Sequence, residues 1–179
     1  MKGIVFTEFI EMVEEKFSYS MMDEIIESLN LPSKGIYTSV GTYDHSEMVQ
    51  LVSSLSVRTQ LPVSTLLNDF GKHLLQLFSK KYSHFFVETT NAFDFFERVD
   101  HYIHVSVLRL YPDAELPKIT TTRISEKQLE MLYHSDRKMS DLAFGLIEAT
   151  LQYYNESATI EKSNVDESGS LVKFVISKS

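Results

Sequence analysis

One stretch constrains this chain more than any other: Asn91 to Pro117, reading NAFDFFERVDHYIHVSVLRLYPDAELP. Asn91 is a helix-capping residue type. The aromatic and aliphatic side chains behind it recur at helical spacing, which predicts a long helix with a buried face. Two histidines, His101 and His104, interrupt its apolar character. The helix runs out into Tyr111-Pro112 and then Pro117, where proline denies the backbone its next amide donor. A fold built on this stretch must bury an aromatic helix, leave room for imidazoles and turn sharply after them.

The rest of the chain supplies that packing. Lys2 to Phe17 reads as an amphipathic helix, with Val5, Phe9, Met12, Val13 and Phe17 on one side and Glu8, Glu11, Glu14 and Glu15 on the other. Ser20 is expected to cap a second helix over Met21 to Leu29, and Ser33 to Tyr43 reads as a loop. Asp44 or Ser46 caps a third helix. Pro62 opens a fourth, whose stripe of Leu66, Leu67, Phe70, Leu74, Leu77 and Phe78 carries it to about Lys80.

After Pro117 the pattern changes. Lys118 to Ile124 and Gln128 to Ser135 alternate as strands do. Met139 to Tyr154 returns to helical period, and Ser157 to Val165 and Leu171 to Ser177 form two more strands about an Asp166–Ser170 loop. Helices followed by β-β-α-β-β make an α+β fold: a helical N-terminal lobe and a C-terminal lobe with a small antiparallel sheet of about four strands. The 179 residues form a single domain, residues 1–179, with lobes at about 1–65 and 66–179 and Pro117 as the expected hinge.

Composition narrows the function. A net charge of −8 argues against nucleic acid and anionic membrane as partners. The chain has no cysteine, which excludes disulfides, thiolate metal sites and thioether attachment of a cofactor. No run of about 18 apolar residues appears, so no membrane span is expected, and the absence of a targeting segment makes the cytoplasm the default location.

His101 and His104 lie three apart on one helix face, with Glu97 and Asp100 on the same turns. That face is one conceivable metal site, though nothing elsewhere completes its ligand set. His104 is flanked by Ile103, Val107 and Leu108. A neutral imidazole in such apolar surroundings satisfies two readings, a core histidine and a ligand to haem iron. Tyr133-x-Ser135-x-Arg137 follows Pro117 by sixteen residues. Strand alternation would put the three polar side chains on one face. Two hydroxyls and a guanidinium make either a carboxylate or phosphate receptor, or a polar surface edge.

The combination is more specific than its parts. His104, Tyr111-Pro112, Pro117 thirteen residues after the histidine, and Tyr133-x-Ser135-x-Arg137 together resemble the haem nitric-oxide/oxygen-binding (H-NOX) family, the sensor domain also found in soluble guanylate cyclase. The opening Met1-Lys2-Gly3 and the closing β-β-α-β-β order fit it too. The resemblance implies a haem b buried between the lobes, with His104 as proximal iron ligand, Tyr133, Ser135 and Arg137 on the propionates and Pro117 against the porphyrin. It implies a distal pocket lined by Ile4, Val5, Phe9, Leu74, Phe78, Leu142 and Leu146. Oxygen-binding members carry a distal tyrosine where this chain has Leu142, and Leu74 replaces a possible amide partner. The expected function is therefore a nitric oxide sensor that binds NO and CO but not O₂. Release of His104 from iron would shift the lobes. Because the sequence stops at Ser179, the expected output is in trans, to a histidine kinase or a cyclic-di-nucleotide cyclase or phosphodiesterase. No catalytic activity is expected. The rival classes are a metal-dependent hydrolase on the His101/His104 face and a cofactor-free protein-interaction domain.

Overall fold

The computed structural model describes all residues, Met1–Ser179. Helix α1 (Gly3–Lys16) buries Phe6, Phe9, Met12 and Val13, a helical stripe read directly from the sequence. Helix α2 (Tyr19–Ser28) starts earlier than expected. Ser18, not Ser20, is its cap: the Ser18 hydroxyl accepts the Met21 N–H at 3.0 Å. Ser20 instead lies one residue into the helix and donates to Glu24, 3.3 Å away. Asp44 caps α3 (His45–Thr59) by accepting the Ser46 N–H at 2.8 Å. Pro62 stands immediately before α4 (Val63–Lys81), and a short α5 (Ser83–Val87) follows.

The helix of the two histidines is not uniform. It runs as α6 (Ala92–Arg98), a π-helical segment over Val99–His104, and α7 (Val105–Leu110). Asn91 caps it by accepting the Asp94 N–H at 3.0 Å. The π segment ends on His104, and such wider turns occur mostly where a helix carries function.

Strands β1 (Lys118–Arg123), β2 (Gln128–His134), β3 (Ala158–Asn164) and β4 (Leu171–Lys178) form one antiparallel sheet in the order β1-β2-β4-β3. Helix α8 (Ser140–Tyr153) comes between β2 and β3 in the chain. Leu129, Met131 and Tyr133 on β2 and Val172, Phe174 and Ile176 on β4 alternate inward, as the period-2 pattern requires.

Two separate apolar cores result. One gathers α1–α3 with Leu66, Leu67, Phe70 and Leu74 of α4. The other gathers Leu75, the aromatic residues of α5 and α6, Ile147 and Leu151 of α8, and the inner face of the sheet. Burying each large apolar side chain contributes roughly 1.5–3 kcal/mol. Helix α4 belongs to both cores, and Phe78 and Leu146 touch both. The joint is a close crossing of α4 and α8. A Cβ on Gly71 would meet the Leu142 carbonyl oxygen at 2.3 Å, and one on Gly145 would meet the Asn68 carbonyl oxygen at 2.0 Å. Backbone lies against backbone there, which fixes how the two cores face each other. No helix is long and apolar enough to cross a membrane.

Candidate cofactor site at the seam

The His104 helix and the end of β2 lie on the second core, where Val99, Tyr102 and Ile103 pack with Tyr133. His104 is largely enclosed, with 17% of its side chain exposed. Its Nδ1 is buried and lacks a hydrogen-bond partner, and Asp100 Oδ1 lies 3.5 Å away. Burial pushes the imidazole pKa down from its ordinary value, against the opposing pull of Asp100. The ring is therefore neutral at pH 7, the form that donates a lone pair to a metal. His101, by contrast, is exposed.

Asp100 does a second job. Its Oδ1 accepts the Ile119 N–H at 3.1 Å, two residues beyond Pro117. Ile119 is paired with Tyr133 across β1 and β2. His104, Asp100, Ile119 and Tyr133 thus form one continuous path from the helix to the polar triplet.

The triplet converges, but not by strand alternation. β2 ends at His134, where the Ser135 N–H makes its last sheet-side bond to the Ser170 carbonyl at 2.9 Å. The chain then turns: the Lys138 N–H donates to the Ser135 carbonyl at 3.1 Å, and the Arg137 N–H donates to Ser135 Oγ at 3.3 Å. Only Tyr133 sits on the strand. The turn is required because Met139 must already lead into α8. Tyr133 is buried, and that burial raises its phenol pKa, while Ser135 and Arg137 close by pull it down. The Arg137 guanidinium is 15% exposed and grips Glu115 with both ends, its carbonyl at 2.8 Å and its carboxylate at 2.7 Å. The group is thus already acting as a carboxylate receptor, and its partner Glu115 is 82% exposed and free to yield.

The expected distal residues come from three helices. Ile4, Val5 and Phe9 lie on α1, Leu74 and Phe78 on α4, and Leu142 and Leu146 on α8. Phe9 and Leu74 are buried in the first core; Val5, Phe78, Leu142 and Leu146 are half-buried and pack against it. Phe9 meets Phe70 edge to face at 5.3 Å. Ile4 is half-buried at the start of α1, and Pro117 is half-buried ahead of β1. None of the seven distal side chains is a hydrogen-bond donor. The nearby polar pair of α1 and α4, Glu8 and His73, face each other at 3.5 Å.

These residues fit a haem. The half-buried imidazole of His104, with its Nδ1 unpartnered, offers a neutral nitrogen ligand, and the Tyr-Ser-Arg turn is chemically a carboxylate receptor. The alternative metal face is not assembled: Glu97 is taken by Arg123 at 2.9 Å, His101 is exposed, and no three His, Asp or Glu side chains converge. Asp100 was expected only as part of the alternative His101/His104 metal face, and Glu115 was not expected at all. An acid four residues before a histidine on one helix was the available signal for Asp100; Glu115 had none.

Comparison with known proteins shows the family and the fold. The Haem-NO-binding family model matches residues 2–162. The fold superimposes on the crystal structure of the Fe(II) unliganded H-NOX protein from K. algicida with a TM-score of 0.95, at 38% identity, covering 100% of this chain and 97% of that one. The solution structure of an H-NOX from Shewanella woodyi in the Fe(II)CO state gives 0.85 at 38% identity, covering 100% and 95%. An H-NOX protein from S. oneidensis in the Fe(II)NO state shares the fold, with a TM-score of 0.91 at 23% identity, covering 100% and 99%. No relative was found among the curated proteins.

Proposed function

Because this chain belongs to the haem-NO-binding (H-NOX) family of haem-containing gas-sensor domains, we propose that it is a nitric oxide sensor in which His104 is the iron ligand and an apolar distal pocket admits NO and CO but not O₂. The observation that carries this reading is the buried imidazole of His104, whose Nδ1 is unpartnered, on the path that leads to Tyr133.

Haem b bound here would supply a ferrous iron able to take up a diatomic gas. His104 ties the helix Ala92–Leu110 to that centre. Tyr133, Ser135 and Arg137 would hold its two carboxylates, Arg137 being bonded to the Glu115 carboxylate in this structure. Pro117 would contact the ring. Leu74 and Leu142, with Ile4, Val5, Phe9, Phe78 and Leu146, keep the gas side free of donors. Bound dioxygen carries partial negative charge and needs a hydrogen-bond donor; an apolar pocket offers none, whereas NO and CO need one far less.

His104 would be the point at which the state of the haem is passed to the protein. The helix is tied to β1 through Asp100 and Ile119 and to the triplet's turn through Glu115 and Arg137. Freed at His104, it would shift against the sheet, while the close α4–α8 crossing keeps its backbone contact. NO favours one of two lobe arrangements and thereby shifts their populations. The output is read by a signalling enzyme, a histidine kinase or a cyclic-di-nucleotide cyclase or phosphodiesterase, and the domain itself performs no catalysis.

Absorption spectra of the reduced protein under argon, NO, CO and air test the reading. NO and CO are expected to change the Soret band, and air is expected to leave the ferrous spectrum in place. A stable oxygen complex in air contradicts the proposed selectivity.

A further inference from the structure

Asp100 contacts the seam in two ways that no other acid in the molecule combines. One oxygen, Oδ1, accepts the Ile119 N–H at 3.1 Å and lies 3.5 Å from His104 Nδ1. That nitrogen is buried with no partner. The other acid near this face, Glu97, is held by Arg123, whose Nε and Nη2 both lie 2.9 Å from its oxygens. Ser106, two residues after His104, donates its hydroxyl to the Tyr102 carbonyl at 2.8 Å. Asp100 is thus the acceptor left for the imidazole.

We propose that Asp100 is the positioning residue of this sensor: it takes the Nδ1–H of His104, so that Nε2 is the nitrogen presented to iron, and through Ile119 it fastens the same helix turn to the strand that follows Pro117. The inference rests on the reading that His104 ligates haem. A distance of 3.5 Å is longer than a formed N–H···O bond, and a shift of about 0.5 Å closes it. An imidazole that donates its second N–H to a carboxylate is fixed in one tautomer and orientation and is a more basic ligand. The shared oxygen makes the ligand's strength and the helix-to-strand tie properties of one side chain. Asp100 sits second in the π segment and His104 sits last. That segment therefore carries both the ligand and the group that orients it.

Resonance Raman spectra of the ferrous haem-loaded protein read the iron–histidine stretch directly. The wild-type band is expected to vanish in His104→Gly supplied with no imidazole, and to move to lower frequency in Asp100→Asn and Asp100→Ala. Glu97→Gln should leave it in place. Amide exchange at Ile119 separates the two contacts: it should accelerate in Asp100→Ala and stay slow in Asp100→Asn, whose side-chain oxygen still accepts that bond. An unmoved stretch in both Asp100 variants, with the band still lost in His104→Gly, overturns the role of Asp100 alone. A band that survives His104→Gly overturns the ligand assignment and this inference with it.

Discussion

Lys2 Nζ lies 3.2 Å from both carboxylate oxygens of Asp113, a residue 111 positions later. The same ammonium donates to the Val40 carbonyl and to Thr42 Oγ1, each at 2.9 Å, and lies 5.3 Å from the centre of the Tyr111 ring. Thr42 in turn donates to Asp113 at 2.5 Å. The start of α1, the 38–43 loop and the loop that leaves the His104 helix therefore meet at one cation. The loop that leaves that helix is thereby linked to the first residues of the N-terminal lobe.

This junction is expected to loosen when its charge is removed. Lys2 is 12% exposed, so the pair is partly sheltered from salt. Lys2→Met keeps the apolar stem and deletes the donors. Hydrogen exchange should quicken at the Gly3 amide, which bonds the Gly41 carbonyl at 2.8 Å, and in the 111–114 loop. Unchanged exchange at both places would show that the cation is not what holds them.

Acid should open the β3–β4 hairpin loop in a defined window. The Ser170 and Ser168 hydroxyls and the Gly169 and Leu171 amides hold the Asp166 carboxyl down to about 2. A depressed carboxylate contributes stability that is present above its unfolded value and is lost as pH falls through the folded one. The loop contacts are thus expected to persist to about pH 4 and to fail as pH approaches about 2, given an ordinary Asp value of about 3.9. An NMR titration of the Asp166 carboxyl carbon checks this; a midpoint near the ordinary value contradicts it.

A methyl group at the α4–α8 crossing should be costly. In Gly145→Ala the new Cβ would lie 2.0 Å from the Asn68 carbonyl oxygen, so the helices must part. Overpacking of this kind destabilises by about 1–3 kcal/mol, and rigid backbone on both sides puts the expectation at the upper end. Urea unfolding measures it. Because Leu142 and Leu146 flank the crossing, the CO spectrum of the haem-loaded variant should shift as well.

Glu47 anchors the loop between α2 and α3 from inside. It is 3% exposed, accepts the Ser33 N–H at 3.3 Å and the Tyr37 hydroxyl at 3.0 Å, and is also hydrogen-bonded by the Ser33 hydroxyl. The Tyr37 phenol is pushed up to about 12, chiefly by burial. Glu47→Ala leaves these donors without their acceptor, an expected loss of about 1–3 kcal/mol by thermal or urea unfolding.

Much of this fold is legible in the residues because local pattern and tertiary demand agree. The stripe Phe9, Met12 and Val13, the proline before α4 and the alternation of Leu129, Met131 and Tyr133 each name an element that forms. The π segment is not legible, because Val99, Tyr102, Ile103 and Val107 keep an apolar face whether the turn is wide or normal. Ser18 and Ser20 are both good caps two residues apart, and only the geometry of the chain leaving α1 selects Ser18. The Tyr133–Arg137 triplet is gathered by a turn rather than by strand alternation, because β2 ends at His134. Asp100 stood in plain view beside His104, but its tie to Ile119 spans 19 residues and is a tertiary fact.

The most direct test of the account is the Soret band of protein produced with ample haem, compared between wild type and His104→Gly with and without added imidazole. The account predicts a coloured wild type, loss of the band in His104→Gly and its return with imidazole. A colourless wild type, or a band that His104→Gly leaves unaltered, contradicts it.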